Sequence, residues 1–385
     1  MGGVLDGIRI ADFTAVMAGS SGAMFLGDLG ADVVKVENTE GGDYARQAQP
    51  YLFQSVNRNK RSLALDLATP EGLAVAKQLV ATSDIVLQGY RPGALEAKGL
   101  GADALRADNP QLIYLSLCGY GTTGPGAQKR GIDQLVQADT GMAHAMGEVN
   151  QRLGLVDAAA GIAVAQAVLA ALFRREREGV GATVEVSLYD TSLWLQMLPI
   201  GEFSVTRVPA EPPETYVLRI PTMGTFDVAD GRIFIAVLNQ ATWERLCELM
   251  GESGLVEDER FASRELRSKH GAVVKELFGK ALQRFDVATI LGWGEREGFM
   301  TTEVKEYGDV LLDPQAEANE SFQTIELFDG RQHTQVRGPW RFLGEPTHPY
   351  RRPPTLGEDS RSVLADLGYA ADAVAGLVER GVVRG

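Results

Sequence analysis

The feature that most constrains the fold is an alternation, in the first third of the chain, of short runs rich in β-branched residues with longer segments of helical periodicity. The runs predict strands at residues 7–13, 31–37, 85–90 and 112–118. The segments between them predict helices at residues 20–29 and 69–82, and one more before the last strand. Strands that alternate with helices are typical of βαβ units, in which neighbouring strands run parallel. We therefore expect a doubly wound α/β domain.

An alanine-rich segment at residues 158–178 has apolar residues at helical spacing and ends in several arginines, so it predicts a long helix. Asp157 directly precedes it, at the predicted N-cap position. Aspartate is a common N-cap residue, and this role alone would explain it. Alternatively, the helix dipole and the first-turn amides keep the carboxylate ionised, and an ionised carboxylate can act as a covalent nucleophile. The spacing leaves both roles open.

The rest of the chain predicts a second region bounded by proline-rich stretches. In order, the sequence predicts a strand at 182–188, a helix at 189–200, a linker at 208–214, a hairpin at 224–237, helices around 243–250, 263–281 and 287–296, a second proline-rich stretch at 345–354 and a helical pattern at 361–380. We assign 1–205 to the N-terminal part of a large domain, 206–223 to a linker, 224–330 to a small domain, and 331–385 to a return linker and the C-terminal part of the large domain.

Composition is that of an ordinary globular protein and disfavours several partners. At 385 residues, the chain exceeds the size at which one hydrophobic core usually stops growing. A net charge of −14 would repel nucleic acid and anionic membranes. The N-terminus has no signal-peptide pattern, and we judge that no apolar run approaches the roughly 18 residues of a membrane span, so we expect a cytoplasmic protein. Cys118 and Cys247 lie in apolar stretches and are expected to be buried and reduced, and no structural metal is expected.

Three further patterns could serve an anionic ligand. Residues 17–22 form a small-residue loop that opens a helix, so their backbone amides could contact an oxyanion or a phosphate. Glu37 stands near the end of the second strand, where a dinucleotide-binding fold keeps its ribose-binding acid, which makes a nicotinamide-dependent enzyme an alternative. Basic residues near predicted strand ends could bind a polyphosphate, although such side chains on loops are ordinarily solvated. They are residues 59–62, 91–93, Lys98, Lys129 and Arg130.

Taken together, these segments resemble the class III CoA-transferases, the family that includes formyl-CoA transferase, carnitine CoA-transferases and the α-methylacyl-CoA racemases. The resemblance covers most of residues 5–195 and resumes at the C-terminus. It runs through residues 5–14, 29–37, 57–66, 91–95, 119–121, 124–125, 131–141, 157–172 and 354–358. The resemblance implies a large doubly wound domain built from both chain ends, a smaller α+β domain inserted between them, and an interlocked homodimer.

The resemblance also implies which residues act. Asp157 matches the family's nucleophilic aspartate, and Met17 and Ala18 match the turn that flanks the thioester. The positions that match the CoA nucleotide site are Leu65, Gly89, Tyr90, Arg91 and Arg130, with Lys98 as an addition near that path. The implied partners are an acyl-CoA and a small carboxylic acid, with coenzyme A as substrate and product and no tightly bound cofactor.

Departures from the family pattern distinguish its branches. Racemases carry a histidine where this chain has Ile132, which cannot move a proton, so racemisation is disfavoured. His144 is expected to be a loop or core histidine. Formyl-CoA transferase has a glutamine where this chain has Met17, and a run of glycines that this chain lacks. Oxalate and formate are therefore disfavoured as substrates. Met17 and Trp194 indicate either an apolar acyl pocket or core packing.

The prediction is therefore a CoA-transferase that works through aspartyl anhydride and aspartyl-CoA intermediates, either between two acids or between two carboxyls of one diacid. The alternatives are an acyl-CoA racemase or isomerase of the same family, a nicotinamide enzyme, and a relative that binds CoA without catalysis.

Overall fold

The computed structural model describes residues 3–211, 213–344 and 350–385. His348 lies outside the described residues, as do residues 345–349 of the proline-rich stretch at 345–354. The chain divides into two compact units: the described residues of Met1–Ala143, Val149–Thr206 and Glu320–Gly385 form the first, and those of His144–Glu148 and Arg207–Asn319 form the second. The predicted linker and small-domain limits stay predictions, because spatial compactness alone does not define a domain.

The first unit is built on a seven-stranded sheet. The strands of the described residues are β1 (Arg9–Phe13), β2 (Asp32–Glu37), β3 (Lys60–Leu65), β4 (Ile85–Gln88), β5 (Ile113–Cys118), β6 (Thr183–Ser187), β7 (Met223–Asp227), β8 (Arg232–Ala236), β9 (Met300–Glu303), β10 (Phe322–Glu326), β11 (Gln332–Val336) and β12 (Val383–Arg384). The large sheet has the order β12-β3-β2-β1-β4-β5-β6. Strands β1 to β6 are parallel and β12 pairs antiparallel with β3. The predicted doubly wound parallel sheet is therefore confirmed.

Helices cover both faces of this sheet. Over both units, the helices of the described residues are α1 (Ala18–Asp28), α2 (Ala45–Ala48), α3 (Pro50–Val56), α4 (Pro70–Ala81), α5 (Ala102–Asp108), α6 (Asp133–Asp139), α7 (Met142–Met146), α8 (Leu155–Glu178), α9 (Leu188–Leu195), α10 (Met197–Thr206), α11 (Pro213–Tyr216), α12 (Gln240–Met250), α13 (Ser253–Glu257), α14 (Arg264–Lys269), α15 (Gly271–Leu282), α16 (Val287–Glu297), α17 (Tyr307–Leu311), α18 (Pro314–Ala318), α19 (Ser360–Asp366) and α20 (Ala371–Glu379). Short 3₁₀ turns lie at Glu96–Lys98 and Glu259–Phe261.

The two faces of the sheet bury different helices because successive strand residues point to opposite sides. Ala11 and Phe13 of β1 point to one face and pack against α4, α19 and α20. Ile10 points to the other face and packs in a second core with α1 and α8. Strands covered on both faces are rich in apolar residues, which is why they are visible in the sequence as short β-branched runs.

Several predicted elements have different limits in the structure. The helix predicted at 189–200 is two helices, α9 and α10, and the one predicted at 263–281 is α14 and α15, which separate at His270. The C-terminal helical pattern is broken between α19 and α20, where Gly368 has a φ of 88°. These breaks fall where a residue leaves helical geometry, which a periodic apolar pattern does not reveal.

Helix α8 begins earlier than predicted, at Leu155, and its N-cap is Gly154 with a φ of 55°. Asp157 therefore lies inside the first turn of the helix, and the prediction that it is the N-cap residue is wrong. Leu155 and Val156 are compatible with a helix, so α8 starts before the alanine-rich run from which its beginning was predicted.

Small residues let α1 and α8 approach each other closely. A Cβ on Gly22 would lie 2.6 Å from Cγ1 of Val164, and one on Gly161 would collide with Oγ of Ser21. Both glycines lie in the N-terminal halves of their helices, so this packing holds the first turns of α1 and α8 side by side.

Helix α8 has 24 residues and a mean hydropathy of 2.0 over its most apolar stretch. By length and composition alone it could cross a membrane, so the expectation that no apolar run approaches a span was too strong. The core helix of a globular protein has the same properties, and α8 buries Val164 and Val168 against the sheet. One such helix is weak evidence for a membrane span, and the cytoplasmic location stays a prediction.

The second unit contains the antiparallel sheet β7-β8-β9. Its first two strands form the hairpin that the sequence predicted. Helices α12, α15 and α16 pack on this sheet around Trp243, Phe278 and Ile290, which are buried.

Candidate active site

The strand order reverses between β1 and β4, and in open α/β sheets ligands bind beyond the carboxyl ends of the strands at such a switch point. The turn after β1 leads through Met17 and Ala18 into α1. The turn after β4 carries Gly89, Tyr90 and Arg91. Five of the residues predicted from the resemblance therefore follow the two strands that flank the switch point.

A buried ion pair holds the turn after β1. Lys35 Nζ lies 2.9 Å from Asp43 Oδ2 and donates to the Thr14 carbonyl oxygen at 2.8 Å. The Val16 amide donates to both carboxylate oxygens of Asp43, at 3.0 and 3.1 Å. Burial opposes ionisation of Asp43, but the Lys35 ammonium and the backbone donors outweigh it and lower the pKa of the carboxyl. Val16 has a φ of 61°, which a β-branched residue adopts only when its surroundings impose it.

A second buried pair lies beneath the same turn. Lys60 Nζ donates to Asp12 Oδ2 at 2.9 Å, to the Ser20 carbonyl oxygen at 2.8 Å and to Asn57 Oδ1 at 2.9 Å. Burial lowers the pKa of Lys60 to about 8. The sequence placed Lys60 in a basic cluster open to a polyphosphate or to solvent, and both interpretations are wrong for this residue because it lies inside a buried strand.

Asp157 lies close to the turn that carries Met17. A Cβ on Gly154 would lie 2.9 Å from Met17 Sδ and 3.9 Å from Asp157 Cβ, so the two side chains approach each other around this glycine. The Ala18 carbonyl oxygen accepts a bond from Ser21 Oγ at 3.1 Å, on the face of α1 that contacts α8. The structure thus brings the turn with Met17 and Ala18 close to the start of α8, although Asp157 comes about 140 positions later in the sequence.

Asp133, the first residue of α6, caps the helix that carries Asp157. Its Oδ2 accepts bonds from the amides of Val156 at 2.7 Å and Asp157 at 2.9 Å. Its Oδ1 accepts a short bond from Gln137 Nε2. Gln137 in turn exchanges two bonds with the backbone of Asn150, at 2.8 and 3.0 Å. The Asp133 side chain is buried, and both its oxygens are occupied.

Burial, and secondarily the Asp133 charge, raise the pKa of Asp157 to about 7. If Asp157 is the nucleophile, the sequence predicts that the dipole and the first-turn amides of α8 keep its carboxylate ionised. Instead, Asp133 accepts two of those amides and places a like charge nearby. Sequence reasoning missed this role of Asp133, although Asp133 lies inside residues 131–141, one of the segments that carry the family resemblance.

A separate cleft of about 340 Å³ opens beyond the ends of β2, β3 and β4. Residues 36–40 and 65–68 line it, together with Tyr90 and Lys98. Lys98 Nζ donates to the Leu67 carbonyl oxygen at 3.0 Å, and burial raises the pKa of Tyr90. The cleft therefore gathers Leu65, Tyr90 and Lys98 from the predicted nucleotide-binding set. Gly89, Arg91 and Arg130 do not line this cleft, and all three are exposed.

Glu37 also borders the cleft, but its carboxylate already has several partners. It accepts two bonds of 2.7 Å from Arg46, one of 2.8 Å from Ser62 Oγ and one of 3.0 Å from the Asp43 amide. Burial opposes ionisation, and Arg46 and Lys35 outweigh it and lower the pKa of Glu37. A carboxylate occupied in this way is a poor ribose ligand, which weighs against the nicotinamide alternative.

The solvent exposure of His144, Trp194 and Cys118 corrects what the sequence predicted for each of them. His144 is an exposed residue of the short helix α7, not a loop or core histidine. Trp194 is 65% exposed, so it is not part of the core of this chain. Cys118 is only partly buried, because it ends β5, whereas Cys247 is buried as expected; both are free. Burial raises the pKa of Cys118 to about 11 and that of Cys247 to about 12, so neither thiol is an activated nucleophile.

The fold and the site define an α/β protein with a partly buried carboxylate, Asp157, beside the turn after the first strand of a doubly wound sheet. The model of the family described as CoA-transferase family III matches residues 5–360. A succinate–glutarate CoA-transferase of Agrobacterium fabrum is 31% identical over 94% of this chain and 95% of its own length. A probable fatty acyl-CoA transferase of Mycobacterium tuberculosis is 35% identical over 94% and 97%.

Solved structures agree with these relatives. The crystal structure of a CaiB/BaiF family protein from Brucella suis superposes with a TM-score of 0.87 at 29% identity and covers 95% of this chain and 100% of that one. The chain belongs to CoA-transferase family III. It is a CoA-transferase, an enzyme that uses CoA thioesters as substrates, and the racemase alternative is not favoured.

Proposed function

We propose that this enzyme moves CoA from an acyl-CoA to a carboxylic acid through covalent intermediates on Asp157. The observation that carries the proposal is the position of Asp157, a partly buried carboxylate in the first turn of α8 beside the Met17 turn, with a pKa raised to about 7. A carboxylate of this basicity is partly ionised at neutral pH and is more nucleophilic than an ordinary one.

The reaction proceeds by exchange between acyl compounds. A carboxylate oxygen of Asp157 attacks the acyl carbonyl and expels CoA thiolate, which leaves a mixed anhydride. The thiolate then attacks the Asp157 carbonyl, releases the donor acid and forms an aspartyl-CoA thioester. The acceptor carboxylate attacks this thioester and displaces CoA thiolate again, and the thiolate attacks the new acyl carbonyl. This last step forms the product acyl-CoA and restores Asp157.

The first turn of α1 supports stabilisation of the developing oxyanions. The side chain of Met17, the N-cap residue, accepts no hydrogen bond from the first amides of α1, and the first turn contains no acidic side chain. The first amides of the helix, beginning with Ala18, are therefore donors for a negatively charged oxygen at the thioester. The Met17 side chain contributes an apolar wall beside Asp157, which helps to exclude water from the anhydride.

The acceptor is proposed to be a small dicarboxylic acid. This choice is supported by relatives named for such acids, including the human succinyl-CoA:glutarate CoA-transferase, which is 29% identical over 98% of this chain and 90% of its own length. The relative named for fatty acyl-CoA supports a longer acyl group instead. A panel of donors and acceptors that includes both classes distinguishes them by kcat/KM.

The covalent mechanism is tested by peptide mass spectrometry. The enzyme is incubated with acyl-CoA thioesters, without acceptor acid, and the intermediates are trapped with hydroxylamine. A hydroxamate on Asp157 supports the proposal. An unmodified Asp157 across a broad panel, with CoA binding demonstrated in the same samples, overturns it.

We propose that the CoA nucleotide binds at the cleft beyond β2, β3 and β4, with Leu65, Tyr90 and Lys98 in its lining and Gly89, Arg91 and Arg130 at its approach. Replacing Lys98 with alanine is expected to raise the KM for acyl-CoA about tenfold with little change in kcat, because it removes a phosphate partner remote from the reacting bond. Steady-state kinetics measure this, with Lys269→Ala in the second unit as the control. An unchanged KM would remove Lys98 from the site.

We also propose that the enzyme is a homodimer. Helix α10, all of whose residues the structure describes, buries none of them although its sequence is apolar. Leu198 is 81% and Val205 84% exposed. A contiguous apolar surface of this kind is typical of a protein interface, and a second copy of the chain is the proposed occupant.

The double variant Leu198→Arg/Val205→Arg is expected to be monomeric, because two buried cations in an interface cost several kcal/mol. Size-exclusion chromatography with light scattering measures the mass. The control is Leu312→Arg, which changes a leucine that is 84% exposed in the second unit. A dimer that persists in the double variant would contradict the proposed interface.

A further inference from the structure

Asp133 is a buried carboxylate that the proposed reaction does not use directly. It is the first residue of α6, and its carboxylate accepts hydrogen bonds from two consecutive amides in the first turn of α8, those of Val156 and Asp157. One of those amides belongs to the proposed nucleophile itself. A carboxylate that binds the backbone amide of a reacting residue helps to fix the position from which the side chain of that residue projects.

The position of Asp133 is itself tightly constrained. Two residues before it, the backbone of Gly131 touches that of Gly119 just after β5, and a Cβ on Gly119 would lie 2.6 Å from the Gly131 Cα. One helical turn after Asp133, Gln137 binds its other oxygen and the backbone of Asn150. The carboxylate is thus connected to the sheet on one side and to the segment before α8 on the other.

We propose that Asp133 is a positioning residue for Asp157: it fixes the first turn of α8 and occupies the amides that would otherwise stabilise the Asp157 carboxylate. The inference rests on the proposed role of Asp157 as nucleophile. Its consequence is a more basic and more reactive carboxylate, held in one orientation.

The charges around Asp157 support this role. Burial and then Asp133 raise the pKa of Asp157 to about 7. The ionisable groups on the other elements packed against α8 have partners of their own or lie at the far end. The carboxylates are Asp28 of α1, bound to Arg58; Asp139 of α6, bound to Lys129; Glu185 of β6, bound to the Thr122 amide; and Asp190 of α9, bound to Ser187. The other groups are Tyr114 and Cys118 of β5, whose pKa values are raised by burial, and Tyr189 of α9, which packs against Tyr120.

The experiment measures how fast Asp157 is modified by acyl-CoA, by acid quench and peptide mass spectrometry, from about pH 5.5 to about pH 8.5. In the wild type the rate should rise with pH through about 7, where Asp157 ionises. In Asp133→Asn the midpoint should fall by about one pH unit, because the like charge is removed. The rate at high pH should also fall severalfold, because the carboxylate is less basic.

Two further variants distinguish the charge of residue 133 from its position, and both from a nonspecific disturbance of α8. Asp133→Glu keeps the charge but moves it, so the midpoint should stay near that of the wild type while the rate falls. Asp84→Asn is the matched control: Asp84 bonds to Arg175 at the other end of α8, at 3.0 Å, and this change should leave the midpoint and the rate unaltered.

The outcomes are distinct. A midpoint that is unchanged in Asp133→Asn, or that shifts equally in Asp84→Asn, overturns the inference while the proposed function stands. If Asp133→Asn does not fold, Asp133→Glu decides: slower modification supports the positioning role and an unaltered rate overturns it. Absence of any modification of Asp157 in the wild type overturns the proposed function and this inference together.

Discussion

Replacing Asp157 with asparagine is expected to lower kcat for CoA transfer by about 10³-fold or more, because the amide cannot form the anhydride. The substitution keeps the size of the side chain, so the KM for acyl-CoA should change little. The measurements are steady-state transfer kinetics and trapping with hydroxylamine, which should leave no label at this position. Near wild-type turnover would show that Asp157 is not the nucleophile.

The matched control is Asp190→Asn. Asp190 is also the third residue of its helix, and its amide and carboxylate bond to Ser187. This variant should lose about 1 kcal/mol of stability at most and keep its kcat. A similar loss of activity in both variants would point to a general effect of removing first-turn carboxylates.

The same Asp157 variant should be more stable than the wild type at alkaline pH. The pKa of Asp157 is raised from 3.8 to about 7, so between these values the folded protein binds more protons than the unfolded chain. Stability contributed by this group is therefore lost as pH rises through about 7, and asparagine does not titrate. We expect a gain of about 1 kcal/mol or more at pH 8 and a smaller one at pH 5, measured by thermal unfolding.

Replacing Lys60 with methionine is expected to destabilise the first unit by about 3–5 kcal/mol, the typical cost of leaving a buried charge without its partner. Lys60 and Asp12 are both fully buried, and the Lys60 ammonium makes three hydrogen bonds that methionine cannot replace. Urea unfolding of the wild type and the variant at pH 7 measures the difference. Because Ser20 and Thr14 contact this network, a smaller kcat should accompany the loss of stability.

Two comparisons identify the cause. Lys280→Met removes an exposed ion pair with Glu276 and should change stability by no more than about 0.5 kcal/mol. The double variant Asp12→Asn/Lys60→Met should lose less stability than Lys60→Met alone, because no unpaired charge remains. If Lys60→Met cost no more than Lys280→Met, the buried pair would not stabilise the fold.

Much of the first unit could be predicted from the sequence, because strands covered on both faces are rich in apolar, β-branched residues. Residues 31–37 and 112–118 had this pattern, and β2 and β5 lie there. The family resemblance placed Asp157, Met17 and Ala18 in one group, and the structure brings Met17 and Asp157 together around Gly154. Helix ends were less predictable, since α8 begins at Leu155 and not after Asp157.

The sequence by itself determined the parallel α/β sheet, the family and the residue proposed as nucleophile, because these depend on local periodicity and on motifs that are contiguous in the chain. Only the tertiary structure decided the electrostatics of the site. Lys60 and Asp12 are 48 residues apart, and Asp133 and the Asp157 amide are 24 apart. Whether a lysine is solvated or buried, and whether a helix amide binds its own side chain or that of Asp133, depends on which segments meet in space. No local pattern contains that information.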